Sequence, residues 1–573
     1  MDGQLLSEEL VFFMKNTYSS PSNKYYWLTT IEKEFITMNT LKKFITLTTI
    51  LTLVTLSLPQ SALSATQPNK NVILLIMDGT NSDILTLSRW YRGTDLQLDK
   101  ILVGGVRTYS AHSAITDSAA AGSAMATGMK TKADYIGMNR DGRPVLTVLE
   151  GAKLSGYKTG IVSTSPVQHA TPAAFTSHVL NRDEFGDIGE QQVYQGLDVV
   201  LGGGAAWLKP QSKHHIKNDD GMLKTKQVSR EDGENLVKTL NSAEYDLVLN
   251  RDGLLNSSGS AKLWGAFADE DISYELDRTK LKPNEPSLAE MTRMALGRLS
   301  KGDKGFFLMV EGSKVDWAAH KNDPVGMISE VLSFDDAVGE ALDFARKDGN
   351  TMVVAVTDHG NSGLTLGNQG TNGDYKRLPA GKFVEPLKKA ELTVKGAVSQ
   401  LKKDRSNLKE VLSNYGLGDL SEKESSALED AKTHEDLENI MVKLMTKRAK
   451  LGFTTHGHTG EDVFLYAYGP DKPVGLIDNT DIPKVISQYM GFSLTSGKFV
   501  DWYGDGMTYF RGKEYKVIVE GRTSKNPVMV AKRDDEVLRF PENKDFYWRN
   551  DEKVRLDSVN VYDGKTFYVH MKE

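Results

Sequence analysis

The sequence predicts an α/β protein: a central, mostly parallel sheet flanked by helices, with a helical insertion and a small C-terminal β segment. Three observations carry this. Five short runs are nearly all apolar, as strands covered on both faces must be. Helical patterns lie between them, and alternating strands and helices build a parallel sheet. Two stretches, 362–452 and 510–573, break the alternation, each differently.

Taken in order, the chain first offers a targeting signal. Lys42 and Lys43 precede an uncharged apolar run, 44–58, and Ala62 and Ser64 then lie just ahead of Ala65. Basic, apolar, small-residue cleavage site is the order of a secretory signal peptide, assigned to 38–65. A membrane anchor is the competing reading, but the apolar centre is short for a span. Residues 1–37 make no sense ahead of a signal and read as an upstream extension before the natural start at Met38. The mature protein is therefore expected in the periplasm or secreted, free of the membrane.

The strand runs are 72–77, 160–163, 199–201, 306–310 and 352–357, with a helix over Leu288–Leu299. Together, 70–509 read as one domain. Within it, 362–452 is rich in Lys, Glu, Asp and Ser. Leu437, Ile440, Met441 and Leu444 follow the i, i+3, i+4, i+7 spacing of an amphipathic helix. From about 510, β-type runs at 515–519, 528–531, 554–561 and 567–569 are separated by turns. There is no tandem repeat.

Composition narrows the chemistry. The 573 residues are 39% hydrophobic and 25% charged, a globular balance, with no cysteine and a net charge of −6. That excludes a thiol nucleophile, cysteine-held zinc and iron–sulfur clusters, and argues against a strongly basic nucleic-acid binder. Any metal must be held by His and carboxylates.

The acids follow the strands. Asp78, Glu311 and the pair Asp358-His359 each stand at the carboxyl end of an apolar run, the edge where open α/β sheets bind ligands. Singly, Asp-Gly and Glu-Gly are ordinary turn pairs. Three carboxylates converging would repel, and bound cations remove the conflict. Asp316 and His320, four apart, share one face of a helical turn just after Glu311. A carboxylate with an imidazole is zinc-type ligation, although alone the pair reads as a surface ion pair. His456 and His458 add imidazoles in a glycine-containing loop. In 116–124, Ser118 opens a helix of very small residues whose N-terminus suits a phosphate; the plain alternative is an N-cap.

These residues resemble the alkaline phosphatase family over roughly 70–500, excluding the insertion. Thr116-Asp117-Ser118-Ala119-Ala120 is similar to its nucleophile segment. Ala170-Thr171-Pro172-Ala173-Ala174 with His178, Val179 and Arg182 is similar to its phosphate-clamping segment. Glu311 to His320, Thr357-Asp358-His359 and His458 to Asp462 complete the set. The resemblance implies two Zn²⁺ and one Mg²⁺. Asp316, His320 and His458 would hold the first zinc; Asp78, Asp358 and His359 the second, facing Ser118; and Asp78, Thr171 and Glu311 the magnesium. Ser118 would form a phosphoserine intermediate, and Arg182 would bind two phosphate oxygens. His169 and Trp317 resemble the His-containing vertebrate and marine-bacterial (Vibrio-like) members. His169 would touch the magnesium site through water, Trp317 the phosphate region, and His456 would support the ligands from behind. The implied reaction is hydrolysis of phosphate monoesters; a diesterase or sulfatase of the same superfamily is the alternative. The insertion resembles the large loop that embraces the other subunit of a homodimer.

Overall fold

The structure, a computed structural model, describes residues 69–570 except 211, 218–222, 229, 231, 260 and 261. The predicted signal peptide 38–65 and the predicted upstream extension 1–37 lie outside the described residues.

Ten strands make the main sheet: β1 Asn71–Met77, β2 Leu102–Arg107, β3 Lys158–Pro166, β4 Val199–Gly203, β5 Asp246–Val248, β6 Leu263–Ala266, β7 Phe306–Gly312, β8 Thr351–Val356, β9 Val463–Tyr468 and β10 Gly475–Asp478. Their order is β10-β2-β9-β8-β1-β7-β3-β4-β6-β5. β9 alone runs against its neighbours; the other pairings are parallel.

Strands β1, β7 and β8 are buried throughout. The period of two sends alternate side chains to opposite faces. Ile73, Leu75, Leu308, Val310, Val353 and Ala355 enter one core, and Val72, Leu74, Phe307, Met309, Met352 and Val354 the other. This is why the sequence shows unbroken apolar runs rather than alternation.

Helices cover both faces. On the first lie α1 Ser82–Arg92, α5 Leu288–Leu299, with the predicted bounds, and α7 Pro324–Asp348. On the second lie α2 Ser118–Thr127 and α3 Ala170–Thr176. α4 Phe185–Gln195 follows α3, and α6 Lys314–His320 follows β7. A Cβ added at Gly122 of α2 would stand 3.0 Å from the Ala174 Cβ of α3, so the small residues here serve close packing.

The stretch 362–452 is helical and pinned at its ends, where Gly360–Asn361 pairs with His458–Thr459 and Thr365–Leu366 with Leu451–Gly452. Its amphipathic helix is α8 His434–Arg448, burying Leu437 and Met441. Leu387, Val394 and Tyr415 join the same core as the sheet, so this stretch is a packed part of the domain.

The C-terminal β segment begins earlier than the sequence suggests, with β11 Tyr503–Asp505. There follow β12 Lys516–Glu520, β13 Val528–Arg533, β14 Glu536–Pro541, β15 Phe546–Arg549, β16 Glu552–Arg555, β17 Val561–Tyr562 and β18 Phe567–His570. Strands β12 to β16 form an antiparallel meander, and β11, β18 and β17 a second small sheet. The predicted run 554–561 is thus two strands in different sheets. Asn560 breaks it, its amide donating to the Pro541 and Phe546 carbonyls at 2.9 Å each. Among the described residues no helix is long and apolar enough to cross a membrane.

Candidate active site

Four adjacent strands, β8, β1, β7 and β3, deliver the site at their carboxyl ends. Asp78 follows β1, Glu311 is the penultimate residue of β7, Asp358 and His359 follow β8, and Thr171 sits on α3 after β3. The turn after β1 requires glycine. Gly79 has φ +64°, and a Cβ there would lie 2.4 Å from Asp316 Oδ1.

The first ligand group is Asp316, His320 and His458. The helical spacing on α6 sets His320 Nε2 3.3 Å from Asp316 Oδ2. His458 Nε2 stands 3.6 Å from Asp316 Oδ1 and 3.2 Å from His320 Nε2. Each ring's other nitrogen faces a carbonyl: His320 Nδ1 the His456 oxygen at 2.6 Å, His458 Nδ1 the Thr116 oxygen at 2.8 Å. Those carbonyls require N–H at Nδ1, so the two Nε2 lone pairs point at each other. A cation between them resolves that repulsion, and a carbonyl behind each ring is the usual support of a metal-bound imidazole. Asn361 donates to Asp316 Oδ1 at 2.7 Å, fixing the carboxylate. His456 meets this group through its carbonyl, and its own ring faces the His320 carbonyl at 3.0 Å.

The second group is Asp78, Asp358 and His359. His359 Nε2 lies 3.1 Å from Asp358 Oδ2 and 3.6 Å from Asp78 Oδ1. Ser118 Oγ is 3.1 Å from the same nitrogen. Ser118 is the first residue of α2, capped by Asp117, whose Oδ1 accepts from Ala120 N at 3.0 Å.

The third group is Asp78, His169 and Glu311. Glu311 Oε2 accepts from Ser163 Oγ at 2.6 Å, while Oε1 has no partner. The Thr171 hydroxyl is buried without a well-formed hydrogen bond and acts on Glu311 as a nearby dipole. His169 offers a ring nitrogen within 4.8 Å of both carboxylates. The Trp317 ring packs edge-on to His169, centroids 5.6 Å apart.

Charge explains what this cage needs. Both Asp78 oxygens, Asp358 Oδ2 and Glu311 Oε1 are buried with no hydrogen bond. Burial, then Asp358, Asp316 and Glu311, push Asp78 well above the carboxylate range. Burial lifts Glu311 to about 7. Burial acts on Asp316 in the same direction, but His320, His359 and His458 outweigh it and hold Asp316 down. Burial followed by the charge of Arg182 drops His169 to about 4, leaving a neutral ring. Orphaned buried carboxylate oxygens beside imidazole nitrogens form a donor set that divalent ions complete, so the residues fit zinc and magnesium.

Arg182 reaches over the site from the loop between α3 and α4. Its Nη1 donates to Asp117 Oδ2 and its Nη2 meets His169 Nε2, both at 3.3 Å. Every sequence-predicted site residue is brought to this one edge of the sheet. Two others went unnoticed. Asn361, which holds Asp316, had no signal beyond its position after Asp358-His359. Lys314 is fully buried, its ammonium bonding Asp271 Oδ2 and the Ile272 carbonyl at 2.5 Å each. Its place three residues after Glu311 could have marked it.

Fold and site define a metal-binding α/β protein with a serine hydroxyl at the centre of an ion cage. Known proteins narrow the class. The family described as alkaline phosphatase matches residues 69–492. Alkaline phosphatase 3 of Bacillus subtilis is 37% identical over 448 residues, 74% of this chain and 90% of the relative. The repressible alkaline phosphatase of Saccharomyces cerevisiae is 33% identical, covering 75% and 83%. The crystal structure of Thermus thermophilus alkaline phosphatase superposes with TM-score 0.65 at 27% identity, covering 76% and 95%. The cold-active enzyme of a psychrophilic Shewanella gives 0.63 at 28%, covering 73% and 99%. The chain belongs to the alkaline phosphatase family.

Proposed function

We propose that the protein hydrolyses phosphate monoesters to inorganic phosphate and an alcohol through a phosphoserine formed on Ser118. The phosphomonoesterase activity follows from the family and from relatives alike over most of the chain. The observation that carries the intermediate is the Ser118 hydroxyl, 3.1 Å from His359 Nε2 within the second ligand group. Asp316, His320 and His458 would hold one zinc, Asp78, Asp358 and His359 the other, and Asp78, Thr171 and Glu311 the magnesium, with His169 beside it. When bound, such ions supply positive charge to the attacking and leaving oxygens and lower the pKa of a hydroxyl or water.

The chain's own residues do the rest. The first turn of α2 presents Ser118 Oγ at a helix N-terminus, whose free N–H groups favour a phosphoryl anion. Arg182 clamps two phosphate oxygens with its planar fork, a geometry Lys cannot supply. Asp117 and His169 hold that fork in place beforehand. Ser118 Oγ bonds to phosphorus as the bond to the alcohol oxygen breaks, and the alcohol leaves with a proton. Water then attacks the phosphoserine, releasing phosphate and restoring the hydroxyl.

Ser118→Ala is expected to abolish a trapped radiolabelled phosphoenzyme while the protein stays folded; label on another residue overturns the assignment. Arg182→Ala is expected to weaken phosphate binding and slow turnover moderately.

The same reading extends to the setting. The signal-type sequence at 38–65 supports export to the periplasm or medium, and N-terminal sequencing near Ala65 tests it. His169 and Trp317 support placement with the marine-bacterial type, and the insertion supports a homodimer. Light scattering of the purified enzyme tests the dimer, and a monomer at working concentration refutes it.

A further inference from the structure

The family match ends at 492, yet residues 503–570 send buried polar side chains into the catalytic region. They reach two places, and both flank Arg182.

The first is the segment just before it. Tyr503 on β11 donates its hydroxyl to Glu150 Oε1 at 2.6 Å, and its ring lies edge-on to His178, centroids 4.7 Å apart. Glu150 Oε1 also lies 3.0 Å from His178 Nε2 and accepts from Gln195 Nε2 at 2.6 Å. His178 Nδ1 faces the Gly137 carbonyl at 2.8 Å. All these side chains are buried. The next residue, Val179, exchanges two backbone hydrogen bonds with Ile136 at 3.0 Å, and Arg182 emerges three residues on.

The second is α4, just after Arg182. The Gln191 amide grips the His178 backbone from both sides, its Oε1 accepting from His178 N at 2.7 Å and its Nε2 donating to His178 O at 3.0 Å. That Nε2 also donates to Asn543 Oδ1 at 2.9 Å. Asn543 donates in turn to Asp187 Oδ1 at 3.2 Å. Asn543 stands at the tip between β14 and β15 with φ 61°, a conformation Asn tolerates. Next to it, Lys544 pairs with Glu190 of α4 and with Glu234. The His178 N–H and carbonyl set which end of the Gln191 amide is which, and Asn543 takes the second N–H, so the grip on His178 is held from behind.

We propose that the C-terminal β extension is a brace that positions Arg182 for the phosphoryl group, with Tyr503 and Asn543 as positioning residues. The inference rests on the reading of Arg182 as the phosphate clamp. Small antiparallel sheets could have docked anywhere on the domain. This one places buried hydrogen bonds on Glu150 and Gln191, the side chains that hold His178 ahead of the arginine loop, and a further bond on Asp187 of the helix that follows it.

The test uses the full-length, metal-loaded enzyme and inorganic phosphate as the probe. Tyr503→Phe keeps the ring and loses one hydrogen bond; Asn543→Gly keeps the backbone conformation and loses the amide. Each is expected to raise Ki for phosphate and KM for a simple aryl phosphate about three- to tenfold, with kcat changed less than about twofold. In an Arg182→Ala background the same substitutions are expected to leave Ki unchanged, because the group they position is gone. A purely stabilising role predicts a shifted melting temperature with unaltered Ki, which overturns the brace. So does an equal rise in Ki with and without Arg182. If Arg182→Ala itself leaves Ki unchanged, the proposed role of Arg182 fails and the brace falls with it.

Discussion

Asp78 is the residue on which the cage turns. It belongs to two ligand groups, is fully buried, and neither of its oxygens has a hydrogen bond. Without ions, burial and the neighbouring Asp358, Asp316 and Glu311 all oppose its charge. Asp78→Asn removes that charge together with a ligand, so its two effects have opposite signs. In chelator the variant is expected to melt above the parent, by an amount reflecting about 1–3 kcal/mol. In saturating Zn²⁺ and Mg²⁺ it is expected to melt below the parent and to retain less metal by elemental analysis. Calorimetry of both proteins in both buffers decides; a variant less stable in chelator refutes the picture of an electrostatically stressed empty cage. The sequence disclosed the ligands because each follows an apolar strand, and a parallel sheet gathers such strand ends at one edge. It could not disclose Asn361 or the Thr116 carbonyl. Those contacts depend on how distant loops meet, and neither has a residue pattern of its own.

At the scale of elements, the tip between β14 and β15 is the least settled join. Glu542 sits there, and burial followed by Asp187, Glu190 and Glu184 pushes its carboxyl up to about 9, with Lys544 acting weakly the other way. Burial and Asp187 likewise raise Glu184 to about 7. A carboxyl whose folded pKa exceeds its unfolded value binds more proton when docked. Its contribution is therefore complete below about 4.5 and is lost as pH climbs toward the raised value. The docked tip is expected to loosen progressively between about pH 5 and pH 9. Amide exchange over 542–546, corrected for its intrinsic pH dependence, reports this directly. Glu542→Gln is expected to flatten the trend, and an unaltered slope in that variant sinks it. The amphipathic spacing of α8 and the bounds of α5 were readable because burial imposes a helical period on sequence. The split of 554–561 was not. The residues suit a strand throughout, and only Asn560 capping two carbonyls from another part of the chain sends the ends to different sheets.

Across the whole molecule, the apolar cores and the ion cage contribute stability in different ways. The two cores enclose the central strands from both sides, so the sheet is expected to persist whether or not ions are present. The cage adds stability only by binding, because ions that bind the folded chain stabilise it by mass action. A metal held about 1,000-fold above its dissociation constant contributes about 4 kcal/mol per site. Chelation is therefore expected to lower the melting temperature by several degrees while far-ultraviolet dichroism at room temperature stays that of a folded α/β protein. Zn²⁺ is expected to restore most of the loss. Its effect should fade as pH falls, because His320, His359 and His458 must give up their ring protons to bind, and an ion that displaces protons loses affinity in acid. Titrating the melting temperature against Zn²⁺ at two pH values tests both parts together. A metal response independent of pH would remove the imidazoles from the first and second ligand groups, and a chain that unfolds on chelation would mean the cores do not hold the sheet alone.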